Sequence, residues 1–166
     1  MATPAGSGEV RLLVNLVDEA FDHHAWHGTT LRGSLRGLHQ DEVSWRPGEG
    51  RHNIWEIAVH AAYWKYAVWR RLAGERRGSF PLAGSNWFPR PDPGLARTWR
   101  EDLGLLLSTH ARLRQAVAGL TPRKLDEPGK GRFTVGAIVR GIASHDLYHA
   151  GQIQLLKRMM PRRTSS

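Results

Sequence analysis

The chain of 166 residues contains no cysteine. That absence excludes disulfides, thiol nucleophiles, zinc–thiolate sites and iron–sulfur clusters, so any bound metal must rest on His, Asp or Glu. Lysine is scarce too, supplying only four of the 24 basic residues. No apolar run approaches the roughly 18 residues of a membrane span, and the opening MATPAGSGEV has no basic segment leading into an apolar one. These features predict a soluble, cytoplasmic protein with no membrane partner. Strand-like alternation of apolar and polar residues is also missing, which points to an all-α fold. The length suits one domain over 1–166 with its own core, and residues 1–7 and 162–166 are expected to be flexible ends.

With 15 acidic residues against 24 basic ones, the formal net charge is +9. Such a charge suggests nucleic acid as a partner. The arginines, however, occur in ones and twos along predicted helices, and no basic block is interleaved with stacking aromatics. Solvated helix faces explain them better, so nucleic acid is the less favoured partner.

Apolar spacing and punctuation predict four long helices. The first spans about Glu9–Trp26, with Ser7 as its cap and Leu12, Leu13, Leu16, Val17, Ala20 and Phe21 facing inward, before Gly28 interrupts it. A shorter piece, TTLRGSLRGL, follows with Thr29 or Thr30 as cap. The second long helix starts after Asn53, turns Ile54, Ile57, Ala58, Ala61, Val68 and Leu72 inward, and stops at Gly74. Asp92-Pro93 introduces the third, about Gly94–Ala118; Thr134 caps the fourth, which runs to about Met159 before Pro161. Residues 74–93, GERRGSFPLAGSNWFPRPDP, form a long irregular loop whose Trp87 and Phe88 suit a lid or binding loop more than a solvated connector. The pattern is that of a four-helix bundle with a long irregular loop between helices 2 and 3, an architecture that places ligand and metal sites between facing helices.

The segment SHDLYHAGQ carries His145 and His149 four residues apart. On a helix the two are offset by about 40°, so both project from one face and can chelate one ion. With nine histidines in the chain, and His23 and His27 repeating the spacing, the pair alone says little. His60 strengthens it: its context AVHAAYW faces inward on another helix, where an unpartnered imidazole is costly to bury. A hydrogen-bonded core histidine and a third metal ligand are both open readings of His60. HDLYH also has the form of a zincin motif with Asp in place of Glu, yet no sheet precedes this helix to form the usual cleft. Asp146 is read as a partner outside the ligands or a surface carboxylate in preference to a general base; Glu56, Gln152, Tyr148 and Tyr63 are candidate partners of the imidazoles. His27, at the break of the first helix, is a candidate acid, base or substrate contact, against the reading of a helix-end histidine. His39, His52 and His110 read as surface residues, while Trp87 and Trp26 are candidates for a pocket wall.

Together, IWEIAVHAAYWK, GSNWFP and HDLYHAGQIQLLK resemble the DinB-like superfamily over nearly the whole chain. The resemblance implies a four-helix bundle, a homodimer, and one divalent transition metal (Zn, Ni or Fe) on His60, His145 and His149. It further implies a metal-dependent hydrolase, or a transferase using a low-molecular-weight thiol, acting on a small-molecule substrate. The alternative from another class is a basic nucleic-acid-binding or stress-response scaffold protein with a purely structural metal site.

Overall fold

A computed structural model describes residues 8–92 and 97–161. The expected flexible ends and Ser7 lie outside the described residues, as do Pro93, Gly94 and Leu95. The fold is all-α apart from one small hairpin. Its elements are α1 (Gly8–Phe21), α2 (Leu31–Ser34), α3 (Gln40–Ser44), α4 (Ile54–Leu72), α5 (Trp99–Ala118), α6 (Pro122–Asp126), β1 (Pro128–Lys130), β2 (Phe133–Thr134) and α7 (Val135–Met159). Four long helices close on one another: α4 packs on α5 and α7, and α1 packs on the same two. None of them is long and apolar enough to cross a membrane.

The helix starts follow local chemistry. Asn53 accepts from the Glu56 amide while the Glu56 carboxylate accepts from the Asn53 amide, a reciprocal cap at the entry to α4. Thr134 caps α7 through the Ala137 amide. For α5 the sequence expectation started too early: the helix begins at Trp99, because Thr98 and Glu101 form the same reciprocal cap and override the signal at Asp92. The first helix is also shorter than expected, ending at Phe21. There the amides of Asp22 and His23 both donate to the Asp18 carbonyl, and the Asp22 carboxylate accepts from Arg32, which folds the chain back towards α2. As a result Trp26 is fully exposed instead of lining a pocket, and Leu12, placed in the inward stripe by its spacing, is 68% exposed. The antiparallel hairpin, not expected from the sequence, turns at Gly131, whose φ of +58° suits glycine.

The apolar core falls into two clusters, one around Trp55, Val59 and Leu106, the other around Val17, Leu113 and Val139. On α4 the change from one to the other lies between Ala62 and Val68, on α5 between Leu106 and Leu113, and on α7 between Ala143 and Ile153. Polar groups occupy that level. Lys65 of α4 is fully buried and donates to Asp146 of α7, itself 1% exposed. The Lys65 ammonium lies 4.8 Å from the centre of the Phe21 ring of α1, and Phe21 stacks on His110 of α5 at 3.6 Å. All four long helices therefore meet in one layer holding a buried ion pair. His110, read from the sequence as a surface residue, is buried there, and its Nδ1 has no partner. Its polar-looking neighbours Ser108 and Thr109 explain the misreading, since their hydroxyls turn back onto carbonyls of their own helix.

Two outcomes test this layer. Lys65→Met leaves the Asp146 carboxyl buried without its cation and should cost about 3–5 kcal/mol in urea unfolding, much of which Asp146→Leu added to it should restore. For His110, burial first and the Lys65 charge second push the imidazole down from 6.5 to about 3. Below about 6.5 the unfolded chain takes up a proton that the folded protein refuses, so stability falls as pH drops through that window. His110→Leu should reduce the loss of unfolding free energy between pH 7 and pH 5 by roughly 2 kcal/mol, and an unchanged difference would show that His110 titrates normally.

Candidate metal centre

His60 sits midway along α4, while His145 and His149 occupy successive turns of α7. The packing of α4 on α7 brings the three Nε2 atoms together: His145 Nε2 lies 3.1 Å from that of His60 and 3.0 Å from that of His149. The outward nitrogens of two rings have acceptors. His60 Nδ1 lies 2.8 Å from the Asn86 carbonyl, and His149 Nδ1 lies 2.7 Å from Gln152 Oε1. A carbonyl oxygen only accepts, so His60 carries its proton on Nδ1 and presents a bare lone pair at Nε2; His149 does the same towards the amide oxygen. His145 Nε2 carries at most one proton between these two lone pairs, so at least one close nitrogen pair has no hydrogen bond to hold it. A cation removes the conflict. Three nitrogens about 2.0–2.1 Å from one ion in tetrahedral arrangement stand about 3.3–3.4 Å apart, close to the spacing here.

Protonation favours the same use. Burial is the main cause that pushes His145 down to about 3 and His149 down to about 4, and it lowers His60 too, so all three are neutral near pH 7. Neutral imidazole is the form that binds metal. The three side chains form a group able to hold a metal ion, with His60 and His149 buried and His145 partly so.

Residues 74–92 build one wall of this site. Trp87 stacks on His60 at 3.8 Å on one side and on His52 at 3.6 Å on the other. Asn86, the only described residue other than glycine with positive φ, at +68°, turns its carbonyl to His60 while its side-chain oxygen accepts from Trp64 Nε1 at 2.9 Å. The segment is anchored at Arg90, which is 2% exposed. Its Nε donates to Asp102 and its amide to Glu56, and its carbonyl accepts from Asn53. Glu56 also accepts from both ends of the Arg46 guanidinium. Glu56 is thus committed to holding the loop, and the hydrogen-bond partners of His60 are the Asn86 carbonyl and His145 instead, contrary to one sequence expectation.

The remaining candidates separate. Gln152 meets His149 and donates its amide to the hydroxyl of the exposed Tyr148. Asp146 points away from the imidazoles into the buried pair with Lys65; burial pushes its carboxyl up to about 6 against the pull of the ammonium. Tyr63 packs among Phe80 and Phe88. His27 is exposed in the connection after α1 and is not among the residues around the cluster. His52, expected on the surface, keeps an exposed edge but backs Trp87 and bonds Glu56 at 3.1 Å. Sequence reasoning missed Lys65, although Ala61, Lys65 and Val68 share the inward stripe of α4. It also missed Asn86 and Arg90, for which an irregular loop offers no periodicity to read. His145 additionally borders an apolar groove of about 190 Å³ with Val68, Ile138 and Ile142.

No curated protein and no solved structure matches the chain significantly. A family model does, that of the DinB superfamily, over residues 23–153, well over half of the chain and including all three clustered histidines. The chain belongs to the DinB superfamily.

Proposed function

We propose that the protein is a metal-dependent enzyme in which His60, His145 and His149 hold one divalent transition metal ion, such as Zn, Ni or Fe, and the site acts on a small-molecule substrate. The observation that carries this reading is the convergence of three imidazoles, neutral near pH 7, whose ring nitrogens lie close enough together to hold one ion. Held there, such an ion supplies Lewis acidity and eases proton loss from a coordinated water or low-molecular-weight thiol, the chemistry of a hydrolase or a thiol transferase.

The chain's own groups divide the remaining work. The Asn86 carbonyl and Gln152 fix the rings of His60 and His149, as acceptors behind ligands do. Trp87 covers the His60 face and limits water. Tyr148 accepts from Gln152 and keeps its own O–H as a donor towards substrate beside His149. Asp146 is held by Lys65 and is no general base in this reading. Association of two copies, implied by the family resemblance, belongs to the same proposal.

Protein purified without an affinity tag should contain about one equivalent of transition metal by elemental analysis, and His60→Ala with His145→Ala should abolish it. Metal content unchanged in that variant would remove the site. Turnover of ester, amide or thiol–electrophile substrates should vanish on chelation and return with the ion. Asn86 offers a finer test. Asn86→Gly keeps the positive φ and should hold metal affinity within a few-fold, whereas the β-branched Asn86→Val displaces the carbonyl from His60 and should weaken affinity about 10–100-fold in competition with a chromogenic chelator.

A further inference from the structure

Next to the three histidines is a space that the metal reading leaves unused. A cavity of about 570 Å³ opens between the second half of α4 and residues 77–86. Among the described residues four cations line it, Arg70, Arg71, Arg77 and Lys130, and no carboxylate does. Arg70 and Arg71 donate to the backbone carbonyls of Glu75 and Ala67, and neither forms an ion pair with a carboxylate among the described residues. Burial, then the charges of Arg70 and Arg77, hold the Arg71 guanidinium below its ordinary range. Uncompensated guanidiniums in a concave site concentrate anions, and their fork geometry matches the oxygens of phosphate and carboxylate. The volume is that of a small-molecule site.

The cavity is continuous in its lining with the apolar groove at His145: Trp64, Arg71 and Lys130 border both. Lys130 Nζ lies 5.8 Å from the centre of the Trp64 ring, so one of the cations stands at the junction. The groove side contributes Val68, Phe133, Ile138 and Ile142. One end of this joined space is therefore cationic, and the other is apolar and touches a candidate metal ligand.

We propose that the joined space binds an amphipathic oxyanion, a small molecule whose phosphate or carboxylate sits among Arg70, Arg71, Arg77 and Lys130 and whose apolar body lies along Val68, Phe133, Ile138 and Ile142 beside His145. As the substrate class of the three-histidine site it rests on the metal-dependent reading; as a binding site it does not require the ion.

Calorimetric titration of the whole protein with 1-naphthyl phosphate, 1-naphthoate and neutral 1-naphthol tests it. At least one of the two anions should bind about tenfold or more tightly than the naphthol, and which one does identifies phosphate or carboxylate as the preferred group. Arg71→Met with Arg77→Met keeps the aliphatic stems and should weaken that anion by about tenfold or more, with Lys130→Met as an independent single variant on the hairpin. Arg11→Met with Arg100→Met, exposed and outside the cavity, should leave it unchanged. Equal binding of anion and naphthol, equal losses from the two arginine pairs, or no binding of any probe would overturn the proposal. Arginine-dependent anion binding by protein that takes up no metal would sink the metal reading and leave this site standing. Metal-loaded protein whose probe binding ignores Arg71, Arg77 and Lys130 would do the reverse.

Discussion

The contact on which the arrangement depends is the buried pair of Lys65 and Asp146. Each charge is nearly or wholly excluded from water, so each strongly disfavours any packing that parts it from the other. Lys65 is five residues from His60, and Asp146 follows His145 directly. A slip of α4 along α7 by one turn, about 5.4 Å, would break the pair and separate His60 from the two histidines of α7 together. Apolar contacts alone would resist such a slip weakly, because hydrophobic burial is non-directional and neighbouring registers of two apolar stripes bury similar areas. The ion pair fixes which register is adopted, and the metal-competent geometry follows from it.

A second constraint comes from the loop after α4. Its length and glycine and proline content suggest mobility, yet it is nailed down at Arg90 by Asp102, Glu56 and Asn53, three residues from helices α4 and α5 and the cap of α4. Trp55 Nε1 donates to the same Asp102 oxygen that accepts from Arg90. Because Arg90 is fixed, Trp87 and Asn86, three and four residues before it in the chain, are delivered to His60. The segment is accordingly a built wall of the site with one anchored end, and opening it would expose a buried guanidinium and leave two buried carboxylates short of a partner.

How much of this was legible in the sequence follows from where periodicity carries information. The long helices α4 and α7 are legible nearly to the residue, since Asn53, Gly74, Thr134 and Pro161 punctuate strong apolar stripes. The three histidines are candidates on the same helices, because a helix converts spacing into direction, and the family resemblance joins them into one ligand set. The end of α1 at Phe21 and the start of α5 at Trp99 are not legible from the pattern: in both cases a side chain several residues away, Arg32 or Glu101, bonds at the helix end. Lys65 is hard to read because its type argues against the inward face on which its spacing puts it, and only its partner 81 residues on resolves that conflict. Asn86 and Arg90 act through backbone atoms in an irregular segment, where residue type says little about which carbonyl meets which imidazole.

The same contrast explains the basic charge. Four arginines act on buried or half-buried carboxylates: Arg114 forks onto Asp18, Arg46 onto Glu56, and Arg90 and Arg97 onto Asp102. Guanidinium suits this work, being planar and weakly hydrated, which gives a structural cause for arginine in preference to lysine at those positions. With these acids neutralised in the interior and Asp146 held by Lys65, much of the remaining positive charge rests on cations that pair with no carboxylate among the described residues. Arg70, Arg71 and Arg77 are of that kind, and they face a cavity instead of being spread over a solvated helix face. Placing like charges together in a partly enclosed space costs stability through mutual repulsion, a cost that an anionic ligand in that space would reverse.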